Sequence, residues 1–168
     1  MSKKYQENYN ADLKFGVKSE TKVLKILKNC LGEHIKKSRK QYSILDFFSN
    51  KYKVKAEVKG RRNTKDYYPT TMIGENKILE AERLVKAGYE VFIFFDFTDK
   101  LCYFKMTEFN KLRSYKNMGG TLRRGIKDKK LYRYINIDDL TDYDPAVPID
   151  YIKTERRVSW KENKKSLV

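Results

Sequence analysis

Cysteine and histidine are nearly missing from this chain of 168 residues. Cys30 and Cys102 are its only thiols and His34 its only imidazole. A zinc site needs about four Cys, His or acidic ligands at short spacing, and no such pattern exists here. One histidine, with no serine or cysteine paired to it, also argues against triad hydrolysis. No run approaches the roughly 18 apolar residues of a transmembrane helix. The opening "MSKKYQENYN" lacks the apolar core of a signal peptide. The chain is therefore expected inside a cell (cytoplasm, nucleus or a virus- or phage-infected cell) and not secreted, with both cysteines as buried thiols in a reducing compartment. Acidic residues are also few, 22 against 38 Lys and Arg, for a formal charge of +16. So large an imbalance repels itself in a compact state and points to a polyanionic partner, nucleic acid first. A membrane surface has no amphipathic basic helix or lipidation motif to support it.

What is present suits one globular domain. Apolar residues make up 40% of the chain, enough for a core. Residues 1–12 are polar and are expected to fray. From about Asp12 to Leu31, the residues Val23, Leu24, Leu27 and Leu31 form a helical stripe that Gly32 closes. The stretches Tyr42–Phe48 and Tyr52–Lys59 read as a hairpin around Ser49-Asn50-Lys51, and an earlier strand fits within Glu33–Lys37. In the second hairpin strand Tyr52, Val54, Ala56 and Val58 share one face and Lys53, Lys55, Glu57 and Lys59 the other. "RRNTKDYYPTT" reads as loop, with Pro69 keeping regular structure away. Glu75–Ala87 is a second helix stopped by Gly88. "EVFIFFDF" is apolar on both faces and so central in a sheet. Further elements are a strand at Leu101–Lys105, a short helix at about Thr107–Tyr115, a basic loop from Gly119-Gly120 to Lys130 and a strand at Leu131–Ile137. The expected fold class is α/β, a mixed central sheet flanked by helices. Residues 1–144 form the domain, with its core at about 12–105, and 145–168 are a basic C-terminal extension.

Three acids stand out. Asp46 lies among Ile44, Leu45, Phe47 and Phe48, and a buried carboxylate needs a strong partner. Glu57 and Lys59 lie two apart on one strand and so point the same way, with Asp46 across the hairpin. Glu20 precedes Leu24, Leu27 and Leu31 by four, seven and eleven residues and so points with the apolar stripe. Three carboxylates brought together would repel one another, and Mg²⁺ removes that penalty with the hard oxygen ligands it prefers. The ordinary reading of each residue is an ion pair or a solvated face. Asp96 reads as structural and His34 as a loop residue.

Asp46, ten intervening residues, then Glu57-Val58-Lys59, with Glu20 on a preceding helix, resembles the PD-(D/E)xK nuclease superfamily. The order of elements resembles its restriction-endonuclease-like αβββαβ core over roughly Phe15 to Asp99, although Leu45 replaces the motif's proline. The resemblance implies Asp46, Glu57 and the Val58 backbone carbonyl as metal ligands, and Lys59 as the catalytic lysine. It implies Glu20 acting through water or a second ion, and Lys77 assisting from the second helix. It implies Mg²⁺ as cofactor, with Mn²⁺ able to substitute. Among small members the chain looks most like a junction resolvase, a repair nickase or a mobile-element or viral nuclease.

Three basic groups are candidate nucleic-acid contacts: Arg61, Arg62 and Lys65 after the motif; Arg123, Arg124 and Lys127 in the Gly-Gly loop; and the C-terminal tail. Tyr67, Tyr68 and Trp160 lie near basic residues and could stack on unpaired bases, or simply pack. The expected activity is endonucleolytic cleavage of DNA. Alternatives are an RNA endonuclease of the same superfamily, a non-catalytic basic nucleic-acid-binding domain and a binder of an acidic protein. Symmetric cutting of two strands would call for a homodimer.

Overall fold

β3 (Val54–Gly60) organises the molecule because it has a different neighbour on each side. The computed structural model describes residues 3–38, 43–106, 112–119, 130–146 and 149. On one side β3 meets the antiparallel β2 (Phe47–Ser49), with Phe47 opposite Ala56 and Ser49 opposite Val54. β1 (Lys36–Lys37) pairs antiparallel with β2 beyond it. On the other side β3 runs parallel to β5 (Glu90–Asp96). β5 pairs antiparallel with β6 (Leu101–Lys105), which pairs with β9 (Thr141–Asp142). The result is a mixed six-stranded sheet in the order β1-β2-β3-β5-β6-β9. Val91, Phe92, Ile93, Phe94 and Phe95 are all buried, so β5 is interior and covered on both faces, as its unbroken apolar run implies.

α1 (Lys3–Leu31) packs on one face of this sheet. Val23, Leu27 and Leu31 meet Phe47, Val54, Ala56, Val58, Phe92 and Phe94 there. The helix begins at Lys3, well before the expected start near Asp12. Residues 3–11 contain neither Gly nor Pro, and extending an existing helix adds one hydrogen bond per residue fixed. It ends at Gly32, whose φ of +61° suits a residue without a Cβ. Gly60 also has to be glycine. A Cβ there would sit 2.6 Å from Phe15 Cε1 and 2.9 Å from Ser19 Oγ, so α1 crosses hard against the end of β3.

The opposite face is covered by α2 (Glu75–Lys86) and by a second sheet of three strands, in the order β4-β8-β7. These are β4 (Thr70–Gly74), β7 (Arg113–Gly119) and β8 (Lys130–Asn136). Leu45, Ile73, Ile78, Ala81, Leu84, Val91, Ile93, Phe95 and Ile135 make the core on that side.

Three expectations about elements need correction. β4 forms where Pro69 seemed to forbid it, because a proline just before a strand removes no ladder hydrogen bond, and the Pro69 carbonyl accepts from Ile137 N at 3.1 Å. Arg113–Tyr115, expected at the end of a short helix, belongs to β7 and pairs with β8. Residues 107–111 of that expected helix lie outside the described residues. The first hairpin strand is shorter than expected. Residues 44–46 form a bend whose polar backbone groups are met from outside the ladder. Ser38 Oγ and Ser43 Oγ donate to the Leu45 carbonyl, and Ser38 N donates to the Asp46 carbonyl. Tyr52 likewise lies in the turn and not in β3. The architecture is otherwise the α/β, restriction-endonuclease-like one expected, with mixed strands between helices.

Candidate active site

Continuing the β2–β3 register one step past Phe47 and Ala56 sets Asp46 against Glu57, on the face away from α1. Val58 N donates to Asp46 Oδ2 at 2.8 Å and holds the carboxylate against β3. Burial pushes the Asp46 carboxyl up to about 6, and the negative Glu57 pushes the same way. The Val58 N–H, Lys59 and Lys77 act against them.

Glu57 is completely buried. Lys59 Nζ lies 2.5 Å from its Oε1. Lys77 Nζ lies 3.0 Å from Oε1 and donates to Oε2 at 3.1 Å. The approaches to Oε1 are contacts of charge, outside hydrogen-bond geometry, so this buried oxygen has no hydrogen-bond donor. Lys77 also donates to the Ile44 carbonyl. Standing in the first turn of α2, it ties that helix both to Glu57 and to the bend before Asp46. Arg133 holds Glu75 at 3.1 Å and fixes the start of α2 to β8. Asp46 from the bend, Glu57 and Lys59 from β3 and Lys77 from α2 are thus brought together by three separate elements.

Glu20 does not join them. α1 covers the same sheet but the other face, and there Glu20 Oε2 lies 2.5 Å from Lys37 Nζ. Among the described residues no three Asp, Glu, His or Cys side chains are placed to share one ion. The inward direction of Glu20 was legible in the helical stripe. Which face of the sheet α1 takes was not.

The basic residues after the motif are engaged within the chain. Arg61 donates to Thr71 Oγ1 at 2.9 Å and to the carbonyls of Gly60 and Met72, and lies over the Phe95 ring. Burial pulls the Arg61 pKa down to about 10. Arg62 pairs with Asp12 at 2.9 Å and stacks on Phe15. Lys65 pairs with Asp142 at 2.6 Å. Arg123, Arg124, Lys127 and the C-terminal tail with Trp160 lie outside the described residues. An open cleft that the run "HIKKSRKQ" foreshadows only as a basic connector is lined by Lys28, Lys36, Lys37 and Lys55 against a single acid, Glu33. It reaches Ser38 and Ser43, whose hydroxyls hold the bend beside Asp46.

The remaining singled-out residues have ordinary partners. Asp96 pairs with Lys22 at 2.6 Å. His34 lies 2.9 Å from Lys51 and edge-on to Tyr52. Neither cysteine is in a disulfide; Cys102 is buried as expected, Cys30 only half-buried, and burial together with Asp142 pushes the Cys102 thiol up to about 12. Among the described residues no helix is long and apolar enough to cross a membrane.

The model of a family described as "Phage putative PDDEXK endonuclease" matches residues 5–156 of the chain. No curated protein and no solved structure matches it.

Proposed function

The chain belongs to this phage PDDEXK endonuclease family, and from that premise we propose that it cuts the phosphodiester bonds of DNA with the help of Mg²⁺, for which Mn²⁺ can substitute. The observation that carries the reading is the pair Asp46 and Glu57. Asp46, half-buried in the bend before β2, and the fully buried Glu57 of β3 meet on one face of the sheet, and burial together with Glu57 raises the Asp46 carboxyl. A divalent cation is the partner that relieves both. The donor set fits it: two carboxylates and the Val58 carbonyl are hard oxygens, and Mg²⁺ is commonly held by one or two carboxylates while keeping several waters. The buried Glu57 Oε1 faces the Lys59 and Lys77 ammoniums at 2.5 and 3.0 Å, and a cation would take its place among these charges. Glu20, held by Lys37, is left out of this set.

Such an ion supplies Lewis acidity, neutralising charge on a phosphodiester and making water a better nucleophile at neutral pH. The chain's own residues do the positioning. Val58 N–H orients Asp46. Lys77 clamps Glu57 and the Ile44 carbonyl, and so keeps β3, α2 and the bend in one arrangement. Lys59 places an ammonium beside Glu57, where it can face the charge that develops on a phosphate. The lysine-lined cleft, which reaches Ser38 and Ser43 beside the bend, offers a polyanion a place next to it.

The test is a panel of linear, nicked, branched and single-stranded DNA and of RNA, incubated with Mg²⁺ or Mn²⁺. DNA is cut by the wild type, while Lys59→Ala still binds it and does not cut. Cutting of RNA alone would replace the proposal with an RNA endonuclease. Binding without cutting, whatever the ion, would leave a non-catalytic binding domain. Titration calorimetry with Mn²⁺ isolates the ion: heat of binding is present in the wild type and lost in Asp46→Ala.

A further inference from the structure

The connection between Gly60 at the end of β3 and Thr70 at the start of β4 contains one short turn, Lys65–Tyr67. Its base is pinned on every side. Arg62 is tied to Asp12, Lys65 Nζ to Asp142, Lys65 N to Asp99 Oδ1 at 2.9 Å, and Asn63 O to Thr98 N at 3.1 Å. The basic residues therefore anchor this loop, and what the loop presents is a pair of aromatic rings. Tyr67 is 67% exposed and Tyr68 57%, more than any other large apolar side chain among the described residues. The two rings meet edge to face at 4.6 Å and 82°. The connection leads into β4, where Met72 is also 45% exposed. Arg61 ties β4 to the strand carrying Lys59, because it donates to both the Gly60 and Met72 carbonyls.

Two tyrosines held this far into water forgo the burial that normally stabilises an aromatic side chain, and the pinned base means that fraying does not explain their exposure. We propose that Tyr67 and Tyr68 are a stacking platform for unpaired bases of DNA, and that the substrate is DNA with a single-stranded segment such as a flap, branch or gap. This rests on the reading of the chain as a DNA nuclease. Ring faces stack on any base, so the platform needs no sequence. A continuous duplex has its base faces already stacked and offers the rings nothing, whereas the chain's +16 charge attracts the backbone of either form.

The experiment measures fluorescence anisotropy of the full chain in EDTA and at fixed salt, so that nothing is cut. The ligands are a labelled single strand of DNA, the matching duplex, a flapped duplex and a single strand of RNA. Tyr67→Ala with Tyr68→Ala weakens binding to the single strand and the flap about 10- to 100-fold and leaves the duplex within about twofold. Tyr67→Phe with Tyr68→Phe keeps wild-type affinity, since the ring faces remain. The platform is overturned by an equal loss on duplex and single strand, by no loss at all, or by a loss confined to RNA. Sedimentation of the alanine pair as a smaller species than the wild type also overturns it, since the occupant is then a second copy of the chain. A wild type that binds but never cuts defeats the nuclease reading and leaves the platform standing. An alanine pair that binds flaps normally beside a wild type that cuts does the reverse.

Discussion

The two faces of the central sheet are made by the same strands and have opposite characters. Toward α1, β3 sends Val54, Ala56 and Val58 into a largely apolar layer with Val23, Leu27, Phe47, Phe92 and Phe94. Toward α2 and the small sheet, the same strand sends Glu57 and Lys59 into a layer that is otherwise as apolar, built from Leu45, Ile78, Ile93 and Phe95. One face holds the fold together. The other carries buried charge that costs stability, and the matching of Asp46, Glu57, Lys59 and Lys77 keeps that cost tolerable. Active sites commonly sit where local stability has been given up in this way.

The widest separation of the two faces is expected from Lys59→Ala set against Phe92→Ala. Removing Lys59 lowers the cutting rate about 10²- to 10⁴-fold, while the unfolding midpoint stays near that of the wild type because Lys77 still neutralises Glu57. Removing the Phe92 ring from the α1 face costs about 3–5 kcal/mol of stability in a denaturant titration, and activity per folded molecule persists. Should both substitutions act mainly on stability, the faces are not divided as described.

Asp46→Asn is expected to strengthen the fold. Below pH 4 the Asp46 carboxyl is protonated in the folded and unfolded chain alike and carries no penalty. As pH rises through about 6 it ionises in the folded state, against its burial and against Glu57, and that part of the stability is lost. At pH 8 the asparagine variant should therefore be more stable by on the order of 2–3 kcal/mol, and the gap should close as the pH falls below 4. Chemical denaturation across that range measures it. Mn²⁺ should narrow the gap by stabilising only the wild type, and EDTA should restore it. A gap that does not change with pH would show that Asp46 is not a strained acid.

The smallest expected effect tests how α1 is set on its face. Gly60→Ala pushes a methyl into Phe15 and Ser19 and costs about 1–3 kcal/mol. Phe15→Ala in the same chain should recover part of this, read as a non-additive double-mutant cycle. Independent, additive losses would mean that α1 does not press on the end of β3.

Much of this was legible beforehand because it depends on residues near one another along the chain. Alternation in Val54–Lys59 puts Glu57 with Lys59, and a tight hairpin carries Asp46 across to them. The unbroken apolar run of β5 announces a strand covered on both sides. Glu20 marks where that reasoning stops. Its helical stripe shows that it points inward, yet either face of a two-sided sheet satisfies an apolar stripe equally. The partners of Arg61, Arg62 and Lys65 were hidden for a related reason. Charge along a sequence does not reveal that Thr71, Asp12 and Asp142 wait in space to engage it. The small sheet escaped notice because β4 joins β8 from far away along the chain, and pairing between β7 and β8 overrides local preference.

Local periodicity and composition thus determined α1's apolar stripe, α2, the hairpin that brings Asp46 to Glu57, the central strand and the basic character that calls for a polyanion. Tertiary structure alone decided which face α1 covers, that Glu20 goes to Lys37, that Lys77 reaches Glu57, and that a pinned loop turns two tyrosines outward. Side-chain direction along one element follows from backbone geometry, whereas the meeting of two elements is set by how their apolar surfaces pack, and no single stretch of sequence contains that choice.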